Sequence, residues 1–106
     1  MHDQLPNPAG SDRSLADLCA AAVGGDRAAF EALHRRLGGG VRRLFLDRTS
    51  GRADLAEELG QRTWVGVWQS ISSGKYDPTR SAISTFVYAV ASKVWLQYLR
   101  SSKRAM

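Results

Sequence analysis

The sequence is poor in the residues that most chemistries need. It holds one cysteine, Cys19, and two histidines, His2 and His34, among 106 residues. A single thiol excludes an internal disulfide, and two isolated histidines with no cysteine at ligand spacing offer no metal cage. Cys19 lies in an alanine-rich helical pattern, where a small buried thiol is ordinary packing rather than a redox site. No apolar run approaches the roughly 18 residues of a membrane span, and the start, MHDQLPNPAGSD, lacks the basic-then-apolar order of a signal peptide. A cytoplasmic protein without membrane association is expected. Enzyme motifs are missing too: there is no G-x-S-x-G and no H-E-x-x-H, and the glycine triplet lacks the Lys-Ser/Thr of a phosphate loop. The only dense carboxylates, Asp54, Glu57 and Glu58, stand at a helix start, where capping accounts for them. The chain is expected not to be an enzyme and to need no cofactor or metal.

Acid is the other scarcity, and it is local. Residues 1–74 hold nine basic and nine acidic side chains, whereas residues 75–106 hold Lys75, Arg80, Lys93, Arg100, Lys103 and Arg104 against Asp77 alone. The whole net charge of +5 therefore belongs to the last third. A basic segment at one end is the electrostatic footprint of a nucleic-acid contact, although solvated basic tails share it.

What is present suits one small globular domain, with 43% hydrophobic and 24% charged residues. Residues 1–12, with Pro6, Pro8 and Gly10, read as a flexible leader, and residues 13–104 as a single helical domain. SLADLCAAAVGG opens with Ser14 and Asp17 in capping-box spacing and stops at Gly24-Gly25. Asp26 can cap RAAFEALHRRL, in which Phe30, Leu33 and Leu37 recur at helical spacing. VRRLFLDRT follows the triplet Gly38-Gly39-Gly40, which serves either as a break or as a weak join inside one helix. In LAEELGQRTWVGVWQSI, expected to be capped by Asp54 with Glu57, Leu55, Leu59, Thr63, Val67 and Ile71 form one inward row. Ala56, Gly60, Trp64 and Trp68 form the row beside it, and Glu58, Gln61, Arg62 and Gln69 face outward. SSGKYDPTRSA is a basic, aromatic turn. Ser81 or Ser84 can cap the last helix, whose buried stripe runs through Ile83, Phe86, Val87, Val90, Val94 and Tyr98, with Tyr88, Ser92, Lys93, Leu96, Arg100 and Lys103 opposite. No strand-like alternation occurs. The expected fold is all-α, a compact antiparallel bundle of about four to five helices.

The order of these pieces resembles conserved region 2 of bacterial sigma-70 family RNA polymerase sigma factors of the extracytoplasmic-function class. GDRAAFEALHRRL resembles that family's opening helix. DLAEELGQRTWVGVWQSI resembles its D-x-A-E-D-L-x-Q-E-T-F-x-x-V-W pattern, and YDPTRSAISTFVYAVASKVWLQYLR its F-D-P-x-R-x-S-F-x-x-W-L-x-x-I-A-x-N-x-x-x-D-x-L-R pattern. Together they span about residues 24–100.

The resemblance implies a promoter −10 recognition and melting domain that binds core RNA polymerase through the β′ clamp helices. Glu58, Gln61, Arg62 and Trp68 would belong to the polymerase-facing helix, with Trp68 nearer the core or its rim. The loop from Ser72 to Ala82, with Lys75, Tyr76 and Arg80, would hold a base flipped out of the non-template strand. Tyr88, Ser92, Lys93, Leu96 and Arg100 would line the strand's path. An anti-sigma regulator is a further partner that such a domain implies. Some positions depart from the pattern: Arg62 replaces an acid, Ala89 and Ser92 stand where the last helix is often basic, and Gln97 replaces an aspartate. No helix-turn-helix domain of the kind that reads the −35 element follows Lys103, so the chain is expected to be an excised N-terminal domain, or else a short natural protein. The alternatives to promoter reading are a sigma-like interaction module that binds polymerase or an anti-sigma regulator without reading DNA, and a generic helical domain with a solvated basic end.

Overall fold

The computed structural model describes residues 13–105; the leader expected over residues 1–12 lies outside them. Four helices follow one another: α1 (Leu15–Val23), α2 (Arg27–Arg48), α3 (Ala53–Ser72) and α4 (Ile83–Ala105). Among the described residues there is no strand. Short connections bring each helix back beside the preceding one, so α2 packs between α1 and α3, and α4 packs mainly on α3.

Two helix starts follow the sequence directly. The Ser14 Oγ accepts from the Asp17 N–H at 3.0 Å, and the Asp26 carboxylate accepts from the Ala29 N–H at 3.2 Å. The third expected cap is corrected. α3 begins at Ala53 with Arg52 as its N-cap residue and no side-chain cap bond, so Asp54 is already inside the first turn. Its carboxylate acts there through the helix dipole. α4 begins at Ile83, so Ser84 is a helical residue rather than a cap.

The glycine triplet does not break α2. Three interior glycines cost about 3 kcal/mol relative to alanine. Against this, Val41 and Phe45 are fully buried beyond the triplet and continue the row begun by Leu33 and Leu37. Burying those two side chains stabilises by roughly 3–6 kcal/mol, which matches or exceeds the cost of the glycines. Leu18, Leu33, Phe45, Leu59, Val67 and Val87, contributed by all four helices, meet at the centre. Thr63 is buried among them with its hydroxyl donating to the Leu59 carbonyl at 2.9 Å. No buried side-chain polar atom among the described residues lacks a partner.

Candidate nucleic-acid interface

A cleft of about 780 Å³ runs between α3 and α4, and Ser73 and Lys75 of the connecting loop contribute to its lining. Its apolar part is Val65, Gly66, Val90 and Val94, and its polar part includes Glu58, Gln61, Arg62, Gln69, Ser70, Ser73, Lys75, Lys93 and Gln97. Gly66 explains how the helices approach there. A methyl group in its place would stand 3.2 Å from a Val90 methyl carbon, tighter than ordinary contact. The three glutamines and both lysines are exposed, so hydrogen-bonding amides and cations stand beside an apolar surface.

Two sets of sequence-predicted residues share this cleft. Glu58, Gln61 and Arg62, assigned above to polymerase, line it together with Lys75 and Lys93, assigned to DNA. Arg62 forms an ion pair with Glu58 one turn earlier. Both side chains are about half exposed, so the pair is worth only a few tenths of a kcal/mol, but it neutralises the acid locally.

The remaining candidates lie elsewhere. Trp68 is half-buried in the α2–α3 seam with its ring edge-on to Phe30 at 4.8 Å, where Trp64 also meets Phe30 at 6.1 Å and His34 at 4.7 Å. Arg80 and Ser92 are exposed but do not line the cleft. Tyr88 reaches across to α2, where its hydroxyl occupies the space that a side chain on Gly40 would need. Leu96 and Arg100 share a shallow, largely apolar depression near the end of α4 with Leu99, Ser102 and Lys103.

Tyr76 is the main correction. The sequence reading gives it a base-stacking face in the loop, yet it is 5% exposed. Its ring packs on Phe86 at 4.5 Å, its hydroxyl donates to the Ser81 carbonyl at 2.7 Å, and the same hydroxyl accepts from the Cys19 thiol at 3.7 Å. Burial, together with the neighbouring thiol, pushes the phenol well above the usual tyrosine range. The resembled pattern has phenylalanine here, so the hydroxyl and its two bonds distinguish this chain from that pattern. Next to it, Asp77 accepts from the Thr79 hydroxyl at 2.7 Å and from the Thr79 N–H at 2.9 Å, which lowers its pKa and fixes the turn.

Sequence reasoning missed most of the apolar half of the cleft. Val65, Gly66, Val90 and Val94 became lining residues only once the register between α3 and α4 was set. One local signal was available: a glycine inside a strongly amphipathic helix points to a close approach.

No group of acidic, histidine or cysteine side chains among the described residues could hold a metal ion. No helix among them is long and apolar enough to cross a membrane. No curated protein and no solved structure matches the chain. A family model described as Sigma-70 region 2 does match, over residues 29–105, which takes in nearly all of α2 and the whole of α3 and α4. With most of its length covered, this chain belongs to the sigma-70 region 2 family.

Proposed function

We propose that the chain is the promoter −10 recognition and melting domain of an extracytoplasmic-function sigma factor, acting in the cytoplasm on core RNA polymerase and the non-template strand. The observation that carries this reading is the cleft between α3 and α4. Opening a duplex requires unstacking bases at a few kcal/mol each, which apolar burial and phosphate pairing offset. Gly66, Val90 and Val94 offer the face of a flipped base an apolar surface, Gln69 and Gln97 can bond its edge, and Lys75 and Lys93 can meet adjoining phosphates. Tyr88, Ser92, Leu96 and Arg100 are exposed along α4, where the strand would continue, and Arg80 is exposed on the loop. Glu58, Gln61 and Arg62 at the α3 side of the cleft would face the β′ clamp helices. RNA synthesis belongs to the polymerase, and recognition to this chain.

A second reading is supported by two features. The Arg62–Glu58 pair neutralises an acid on the surface and burial takes the Tyr76 ring out of it, as suits a module that occupies polymerase or pairs with an anti-sigma regulator without reading bases. Fluorescence titration with a non-template −10 strand, in the presence of β′ clamp helices, separates the two. Promoter reading requires preference for the single strand over duplex, with affinity falling along a log–log salt slope of about −0.7 per phosphate. A folded chain that binds the clamp helices but no single strand at low salt is the interaction module instead.

A further inference from the structure

The charge count along the chain conceals a second basic surface. α2 carries Arg27, Arg35, Arg36, Arg42, Arg43 and Arg48 against Glu31 and Asp47. The first 74 residues sum to zero only because compensating acids sit on other elements, Asp54, Glu57 and Glu58 of α3 among them. At about 100° per residue, Arg35, Arg36, Arg42 and Arg43 fall on one sector of α2 as two pairs, roughly 10 Å apart along the axis. All four are exposed, while Leu33, Val41 and Phe45 turn into the core. Between the pairs lies Gly39, with open space where a side chain would stand. The Arg36 guanidinium donates to the Arg13 carbonyl at 2.5 Å. Among the described residues none of the four forms an ion pair.

What this face lacks decides what it fits. The large apolar side chains exposed among the described residues are Val23, Val65, Tyr88, Leu96 and Leu99, and none is on α2. A protein partner is held chiefly by buried aromatic or apolar anchors at the centre of the interface, and there is none to offer here. A single strand is held by stacking its bases on aromatic rings; α2 contributes none to this sector, and Tyr88 of α4 meets its edge at Gly40 with the hydroxyl end of its ring. Duplex DNA presents its phosphates outward and can be bound by charge alone, most closely where no side chain intervenes.

We propose that the outer face of α2 is a sequence-independent site for the phosphate backbone of duplex DNA, separate from the α3–α4 cleft. Arg35, Arg42 and Arg43 supply the contacts, and Gly39 lets the backbone come close. The site reads no bases, so it contributes affinity and encounter rate rather than selection. This inference stands without the cleft reading, because its residues and its ligand are different.

The test uses the full chain, a fluorescent duplex of scrambled sequence and a single strand of equal length, with anisotropy followed across salt concentrations. Arg35→Gln/Arg42→Gln/Arg43→Gln lowers duplex affinity roughly tenfold or more at low salt and makes the duplex salt slope shallower by about 2 to 3, at about 0.9 per phosphate. Single-strand binding keeps its own slope. The triple lysine variant retains duplex affinity within a few-fold, and Arg42→Gln alone takes about 0.9 from the slope, which keeps the test open if the triple glutamine variant melts early. An unchanged duplex slope in a folded triple variant overturns the proposal, as does equal loss on duplex and single strand. Polyglutamate binding as tightly as duplex, and losing affinity in the same variant, would assign the face to an acidic protein and overturn it as well. Absence of single-strand binding by the unaltered chain would count against the cleft reading alone.

Discussion

The cleft between α3 and α4 and the outer face of α2 are both basic, but they surround their charges differently. Lys75 and Lys93 stand beside valines, a glycine and three glutamines in a concave surface. Arg35, Arg42 and Arg43 stand on a convex helix that exposes no large apolar side chain of its own beside them. Charge attracts any polyanion, while shape and amides decide which part of it stays. The difference teaches that net charge alone identifies neither site. The cleft is suited to selecting one unstacked base, and the α2 face to holding a backbone of any sequence.

The strongest test of that separation is to fill the cleft. Gly66→Leu places a branched side chain against Val90 and should weaken single-strand binding roughly tenfold or more, the scale of one lost stacking contact, with duplex binding unchanged. Paired anisotropy titrations check it, and a parallel loss on duplex would mean that the two regions are one site. Next in size is Tyr76→Phe, which keeps the ring but leaves the half-buried Ser81 carbonyl, in the loop that also carries Lys75, without its donor. A loss of about 1 kcal/mol in urea unfolding is expected, with weaker single-strand binding and normal duplex binding. The same variant has a pH signature. Because the phenol is raised in the folded chain, its contribution is fully present below about pH 10 and declines as pH rises above that value. Tyr76→Phe should flatten that part of the urea-stability profile.

Arg62→Glu probes the other wall of the cleft. It breaks the pair with Glu58 and offers two acids to the β′ clamp helices, so clamp binding should tighten a few-fold while stability falls by about 0.3–0.5 kcal/mol from like charges one turn apart. Calorimetric titration with the clamp helices measures the first and thermal melting the second. Unchanged or weaker binding would remove this wall from the polymerase contact. The smallest effect belongs to Gly40→Ala, where the two regions touch. Its methyl group displaces the Tyr88 hydroxyl, whose ring can swing outward, while the helix gains up to about 1 kcal/mol in propensity. Urea unfolding should change by less than about 1 kcal/mol, and single-strand binding should shift slightly through Tyr88.

Periodicity made α3 legible nearly residue by residue. The row from Leu59 to Ile71 is buried as read, with Leu55 half-buried at its start, and Trp64 at 8% exposure is the core anchor its spacing implies. The join at Gly38–Gly40 stayed open because propensity is local, whereas the burial of Val41 and Phe45 that decides it comes from other helices. Asp54 misled for a related reason: capping-box spacing can lie within the first turn, here two residues past the true N-cap Arg52. Tyr76 was misread because an aromatic residue in a basic turn looks like a stacking surface, and nothing local announces a thiol 57 positions away. The two halves of the cleft could be read only separately. The arginine face was visible as letters, but a sum over 74 residues erased it, and only the helical geometry of α2 restores it.

The bond from Cys19 to Tyr76 has one further consequence. It ties α1, which lies outside the family match, to the loop that carries Lys75 into the cleft. Tyr76 is held there by Phe86, the Ser81 carbonyl and Cys19, and Asp77 by Thr79, before any strand arrives, so part of the loop's conformational entropy is already lost at folding. Binding then meets a surface whose shape is partly set in advance, and the ordering cost that a limp loop would levy on each encounter is reduced.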